Sequence, residues 1–216
     1  MAIIATNDGG SNYTPVPAGT YAARCFSMIH IGTVTETIMG EEKTLNKVRI
    51  TWELPTETKV FKEENGEQPY VVSKEFTLSM HEKATLRKFL ESWRGKGFSE
   101  DEAKSFDISV LLGKGCMLSV IHKTSKSQKT YAEISSVTSV PKGMTVPPQV
   151  NPNYEFNYDP FDEVKFNALP DFLKDKIKSS REYKISTSTS QLDDELKAQE
   201  YFDQQDAVQY NDDLPF

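Results

Sequence analysis

Residues 84–94 read Ala-Thr-Leu-Arg-Lys-Phe-Leu-Glu-Ser-Trp-Arg, followed by Gly95, Lys96 and Gly97. Leu86, Phe89, Leu90 and Trp93 fall at i, i+3, i+4 and i+7, which puts all four on one stripe of a helix. The two glycines stop it. A stripe this apolar has to be buried against something. The segments on either side alternate every second residue, the pattern of strands with one buried face. The chain therefore reads as a set of strands with one well-marked helix among them.

Three strands are expected before that helix. Residues 20–35 alternate Tyr21, Ala23, Cys25, Ser27, Ile29 and Ile31 with Ala22, Arg24, Phe26, Met28 and His30. Gly32 marks a bulge or bend near the end. A turn at Met39-Gly40-Glu41-Glu42 leads into residues 45–54, with Val48, Ile50 and Trp52 on one side and Lys47, Arg49 and Thr51 on the other. Residues 55–69 read as a polar loop with Phe61 and an Asn65-Gly66 turn. Residues 70–80 form the third strand, in which Lys74 interrupts the apolar face of Val72, Phe76, Leu78 and Met80.

Beyond the helix, Ser99 and Glu102 fit the capping box of a short second helix. Gly113-Lys114-Gly115 is a turn, and residues 116–122 and 130–140 are two more strands around a basic loop. The order of three strands, a helix and two strands is that of an OB-fold, a five-stranded, partly open barrel that commonly binds single strands. The helix would plug one end. An open antiparallel sheet with one covering helix fits the same pattern. The fold class is thus mainly β, with residues 1–18 as a loose arm and residues 19–141 as the barrel.

Residues 142–190 change character. Pro147, Pro148, Pro152 and Pro160 alternate with Tyr154, Phe156, Tyr158 and Phe161. The prolines keep this run extended, and the aromatics imply that it lies against the body. Pro170 opens a helix through Tyr183, with Phe172, Leu173 and Ile177 apolar and Lys174, Lys176, Lys178 and Arg181 basic. A Ser/Thr-rich link follows at 187–190.

Charge is divided unevenly. The chain carries 25 basic and 32 acidic residues, and its net charge is −7. Eight of the acids and only one base, Lys197, lie in residues 191–216, which leaves 24 of each in the rest. An acidic tail on a balanced body is a common layout for interaction tails. The whole-chain charge therefore does not speak against a nucleic-acid partner; local basic density on the body decides that. No apolar run approaches the length of a membrane span, and the N-terminus lacks the basic start and apolar core of a signal peptide. Cys25 and Cys116 make no disulfide framework and are expected as buried, reduced residues. That fits a cytoplasmic protein without a membrane partner.

Enzyme motifs are missing. His81-Glu82 is not the start of His-Glu-x-x-His, and Leu112-Gly113-Lys114-Gly115 lacks the spacing of a phosphate loop. His30, His81 and His122 are far apart in sequence. The reading assigns no catalytic residue, metal or cofactor.

The chain ends Asn211-Asp212-Asp213-Leu214-Pro215-Phe216. This ending resembles the C-terminal tip of bacterial-type single-stranded DNA-binding proteins, in which an acidic tail closes on Asp-Asp-Ile/Leu-Pro-Phe. A terminal Phe offers an aromatic anchor, and proline lowers the entropy lost on docking. The resemblance implies a non-enzymatic protein, of bacteriophage or bacterial type, that coats single-stranded DNA during replication, recombination or repair. It also implies that Asp212, Asp213, Leu214, Pro215 and Phe216 dock partner enzymes: a polymerase, a primase-helicase, a recombinase or a nuclease. For a phage-encoded protein the compartment is the host cytoplasm. The family's long Gly/Gln/Pro-rich linker has no counterpart here, since residues 161–183 read as folded. The family's tetramer is therefore not carried over, and homo-oligomerisation stays open. The −7 tail can also fold back on a basic groove and compete with DNA.

Single-strand binding needs cations along the phosphate path and π-faces for the bases. The candidate cations are Arg24, Lys47, Arg49, Lys123, Lys126 and Lys129. The candidate stacking residues are Phe26, Trp52, Phe61, Tyr70 and Tyr131. Phe26 and Tyr131 fall opposite the apparent core. Trp52 shares a face with Val48 and Ile50, so the core is its favoured place even within this set. Two rival classes remain: an acidic-tailed adaptor or inhibitor that never touches DNA, and a strand-annealing recombination protein.

Overall fold

Met39 and Gly40 both take positive φ, 54° and 85°. They form a two-residue turn of the mirror-image type that suits the right-handed twist of the strands it joins. The arms of this hairpin are long: β1 (Gly19–Ile38) and β2 (Glu41–Val60), 20 residues each. The computed structural model describes residues 14–125 and 127–188. After the hairpin come β3 (Glu67–Thr77), α1 (Thr85–Arg94), α2 (Glu100–Lys104), β4 (Gly115–Thr124), β5 (Thr130–Thr138), β6 (Tyr154–Phe156), α3 (Glu163–Ala168) and α4 (Asp171–Lys178). Residues 181–188 are helical as well.

The protein is mainly β. Its antiparallel sheet runs in the order β3-β2-β1-β4-β5, with β6 added to β1, and this path does not close on itself. The expected order of elements holds, as does the helix between the third and fourth strands. The expected bounds were too short for β1 and β2. Residues 55–60, read as loop, continue β2, and only Glu63–Asn65 make a turn of 3-10 helix. Gly95 ends α1 in the left-handed conformation, and Ser99 with Glu102 forms the complete capping box of α2.

The described residues group into two compact units that do not follow contiguous boundaries. One takes in the residues up to Ser27, Ile50–Lys74 and Ser79–Asn153; the other takes in Met28–Arg49, Glu75–Leu78 and the residues from Tyr154 on. The chain passes from one unit to the other inside β1, β2 and β3. The run expected as a linker is thus divided between the two units, at Asn153 and Tyr154.

In the first unit, the stripe of α1 is buried as expected. Trp52 lies 5.6 Å from Phe89 and 5.7 Å from Trp93 between ring centroids. Leu86, Leu90, Leu118, Ile134 and Val137 are buried in the same unit. Cys25 and Cys116 are buried and unbridged; burial pushes the Cys25 thiol up to about 12 and raises that of Cys116 as well. Residues 15–18 are less loose than expected: Val16 is buried, and its carbonyl accepts from His122 Nε2 at 2.8 Å.

Residues 144–153 form a strap in this unit, held by two opposite charges. The guanidinium of Arg24 donates to the carbonyls of Pro147, Val146 and Gly113 at 2.5, 3.0 and 2.9 Å. The carboxylate of Glu53, 0 % exposed, accepts from the Val150 and Asn151 amides and from Asn151 Nδ2 at 2.6–2.8 Å. Val146 packs so close to Gly115 that a Cβ there would lie 2.8 Å from it. Pairing and burial go together, because a buried charge without partners costs several kcal/mol.

The second unit has its own core of Ile29, Phe156, Phe166, Leu169, Leu173 and Ile177, ringed by Tyr154, Tyr158, Phe161 and Tyr183. The aromatics of the proline-rich run are packed, as expected. Gly32 has φ 90°, and a Cβ there would come within 2.9 Å of Ser180, Tyr158 and Glu182. Only glycine fits that position on both counts. Next to it, Glu182 accepts from Thr33 N and Thr33 Oγ1, both at 2.6 Å.

Glu53→Ala takes the buried acceptor away from three donors of the strap, Val150 N, Asn151 N and Asn151 Nδ2. Unfolding in denaturant should show a loss of about 3 kcal/mol, and limited proteolysis should cut residues 141–153 first. An unchanged midpoint would mean that the strap is held by packing alone.

Candidate nucleic-acid interface

Lys74, the residue that breaks the apolar face of β3, donates from Nζ to the carbonyl of Ile134 on β5 at 2.8 Å. It thus spans the two ends of the open sheet path. Strand directions alternate along that path, so β3 and β5 run the same way. Tyr70, four residues before Lys74, and Tyr131, three before Ile134, therefore lie toward the same end of the first unit.

Exposed aromatics collect at this end. Phe61 is 49 % exposed and meets Tyr70 edge-to-face at 5.3 Å. Tyr131 is 38 % exposed and sits directly across the β4–β5 ladder from Lys123. Ile121 is exposed on β4, two residues from Lys123, and Lys129 is exposed at the mouth of the hairpin. Lys123 pairs with Glu133 at 3.0 Å. The hydrogen bond and charge of Glu133 raise the Lys123 ammonium above its ordinary value, so it is a cation throughout the neutral range. Lys126 lies outside the described residues, as do Asp212, Asp213, Leu214, Pro215 and Phe216. Acids stand close by: Glu67 accepts from Thr58, and Glu64 pairs with Lys62. The surface has mixed charge with protruding rings.

Several predicted contacts are placed elsewhere. Arg24 spends its guanidinium on the strap, so it is a structural clamp and not an open cation. Trp52 is 0 % exposed and offers no face to a base. Phe26 is only half-buried, on the same strand as Arg24. Lys47 and Arg49 belong to the second unit, and both meet acids there. Lys47 Nζ lies 2.6 Å from Glu36 and 3.2 Å from Glu75. Arg49 reaches Glu75 at 3.4 Å and stacks over the Phe172 ring at 5.4 Å. Lys176 of α4 completes the set, 2.7 Å from Glu36 and 2.6 Å from Glu75.

Burial alone would raise the carboxyls of Glu36 and Glu75. The hydrogen bonds and charges of Lys176 and Lys47 outweigh it, and both end below their ordinary value of 4.5. Burial likewise lowers Lys176, but Glu36 and Glu75 overcome it and leave the ammonium raised above 10.5.

Two functional-looking features went unread in the sequence. Glu53 is one acid in a run of apolar neighbours, and nothing local marks it as buried. Arg87, on the apolar side of α1, is buried and donates to the carbonyls of Met80 and Phe98 and to Glu91 and Glu100. A basic residue next to a helix's apolar stripe is the only sign of it. Among the described residues no group of His, Cys, Asp and Glu is placed to hold a metal, and no helix is long and apolar enough to cross a membrane. Compared with protein-family models, curated proteins and solved structures, the chain matches none.

The five-membered ion set generates a pH dependence. Lowered carboxyls stabilise the fold above pH 4.5, and that contribution is lost as pH falls through their depressed values. A raised lysine stabilises below 10.5, and its part is lost as pH rises through its elevated value. Lys176→Met should therefore cost about 1 kcal/mol between pH 5 and 10. The difference from wild type should shrink below pH 4, as read by denaturant midpoints. A gap that stays constant down to pH 3 would show that Lys176 acts by packing.

Proposed function

We propose that this protein binds single-stranded DNA, coating and protecting it, and that its acidic tail recruits enzymes of replication or recombination. The observation that carries the reading is the set at one end of the first unit: Tyr131 opposite Lys123, with Lys129 beside them and the Phe61–Tyr70 pair toward the same end. Rings on which bases stack, interleaved with lysines for phosphates, are what sequence-independent single-strand binding requires.

The strand order supports it. A path β3-β2-β1-β4-β5 with its end strands running the same way, and with Lys74 reaching from one to the other, has the arrangement of an OB barrel opened along one seam. The helix between β3 and β4 buries its stripe in the core, as a barrel plug does. The partner-docking role rests on the terminal residues Asp212 to Phe216 and on their resemblance to the tips of single-stranded DNA-binding proteins. Such a role places the protein in the cytoplasm.

Fluorescence anisotropy with a labelled oligo-dT of about 30 nucleotides tests the reading. The full chain should bind, with a log–log salt slope of about −2 if three lysines each displace a counterion. Duplex of the same length should bind far more weakly. Tyr131→Ala should weaken binding about tenfold, within the range for one lost base stack. Truncation before Gln191 should tighten it at low salt. No binding by either the full or the truncated chain would sink the proposal in favour of an adaptor that works through its tail alone.

A further inference from the structure

The ion set of the second unit is not balanced. Lys47, Arg49 and Lys176 share two carboxylates, Glu36 and Glu75, and every side chain in the set is at least 74 % buried. The two lysines take both acids at 2.6–3.2 Å, and among the described residues Arg49 is left with one ion contact, through Nη1 at 3.4 Å. A guanidinium presents five donors in a planar fork, matched to phosphate and carboxylate oxygens. One positive charge of the set is thus unanswered, and it resides on the group best shaped to bind an anion.

Arg49 also lies over an aromatic ring that has not been put away. Phe172, in the first turn of α4, is 58 % exposed although the Arg49 guanidinium is 5.4 Å from its centroid. Leu173 and Ile177, the other apolar residues of this helix, are buried. A phenylalanine kept in solvent beside a half-used arginine makes a flat surface with an anion site at its edge. Lys174, two residues on, pairs with Asp171 at 2.8 Å and so adds no net charge.

We propose that Phe172 and Arg49 form a second contact for single-stranded nucleic acid, separate from the aromatic end of the first unit. A base stacks on the Phe172 ring, and the adjoining phosphate takes the unused donors of Arg49, with Lys176 holding the acids that would otherwise repel it. This rests on the single-strand-binding reading, and it adds that the C-terminal helices are part of the DNA footprint. An apolar protein partner would use Phe172 but would have no need of the arginine fork.

The test is anisotropy of the 30-nucleotide oligo-dT with the full chain, comparing Phe172→Ala, Arg49→Gln, Tyr131→Ala and, as an exposed control in α3, Val164→Ala. Phe172→Ala removes a solvent-facing ring, so thermal melting should be unchanged. Its affinity should fall about tenfold. Arg49→Gln should also weaken binding and make the salt slope shallower by about 0.7, the value of one phosphate contact on a single strand. Val164→Ala should bind like wild type. If Phe172→Ala and Arg49→Gln both bind normally while Tyr131→Ala does not, the second contact is overturned and the single-strand reading stands. If the wild type does not bind oligo-dT at all, both fall. Equal losses on single-stranded and duplex DNA for Phe172→Ala would also overturn it, since a base in a duplex cannot stack there.

Discussion

A buried carboxylate fixes the surface this protein can use. Glu53 stands in the middle of a fully buried stretch of β2, and among the described residues its charge is answered by amides of the strap, at Val150 and Asn151. Removing the strap would strand an anion in the interior, at a cost of several kcal/mol. Arg24 makes the same demand from β1. The strap is therefore a fixed layer of the fold. It accounts for β2 burying Glu53, which, with Thr51 bonded to Ser73 of β3, makes strand alternation fail from Ile50 to Leu54. It also withdraws Arg24 from any ligand. The exposed rings of that unit, Phe61 and Tyr131, lie toward the end where β3 and β5 begin.

The second unit obeys a related rule with a different outcome. Its charges are only partly buried, and three bases, Lys47, Arg49 and Lys176, meet two acids, Glu36 and Glu75. Depressed carboxyls and a raised ammonium show that the pairs are held together against desolvation. They are too few in acid to neutralise Arg49, whose leftover donors lie beside the one aromatic residue of α4. Lys47 and Lys176 thus fix the acids, and Arg49 keeps one longer contact to Glu75.

The sequence made the periodic features legible. The stripe of α1, the capping box at Ser99 and the glycine stop at Gly95 each express a local rule, and each is present; the alternation of β1 holds in part, since Ala22 and Met28 are buried along with Ala23, Ser27 and Ile29. The packing of Tyr154, Phe156, Tyr158 and Phe161 could be inferred because exposed aromatics are costly. Contacts that depend on distant chain segments were hidden. Lys47 looks like an open cation on a strand face until Lys176, more than 120 residues away, is placed beside the same acids. Trp52 could be assigned to the core because its neighbours two residues apart are apolar, whereas Glu53, one residue on, has no such marker. The length of β2 was misread because Pro55 and a run of charged residues look like a loop, although Pro55 lies within the strand.

The most direct measurement is photocrosslinking of the full chain to an oligo-dT in which some thymines are replaced by 5-iodouracil, with the attached peptides mapped by mass spectrometry. Crosslinks should fall at Phe61, Tyr70 and Tyr131, and at Phe172 if the strand continues onto the second unit. Crosslinks concentrated at Phe26, with the strap released to proteolysis, would contradict the account. They would show that the DNA path runs where Arg24 and Glu53 now hold the protein's own chain.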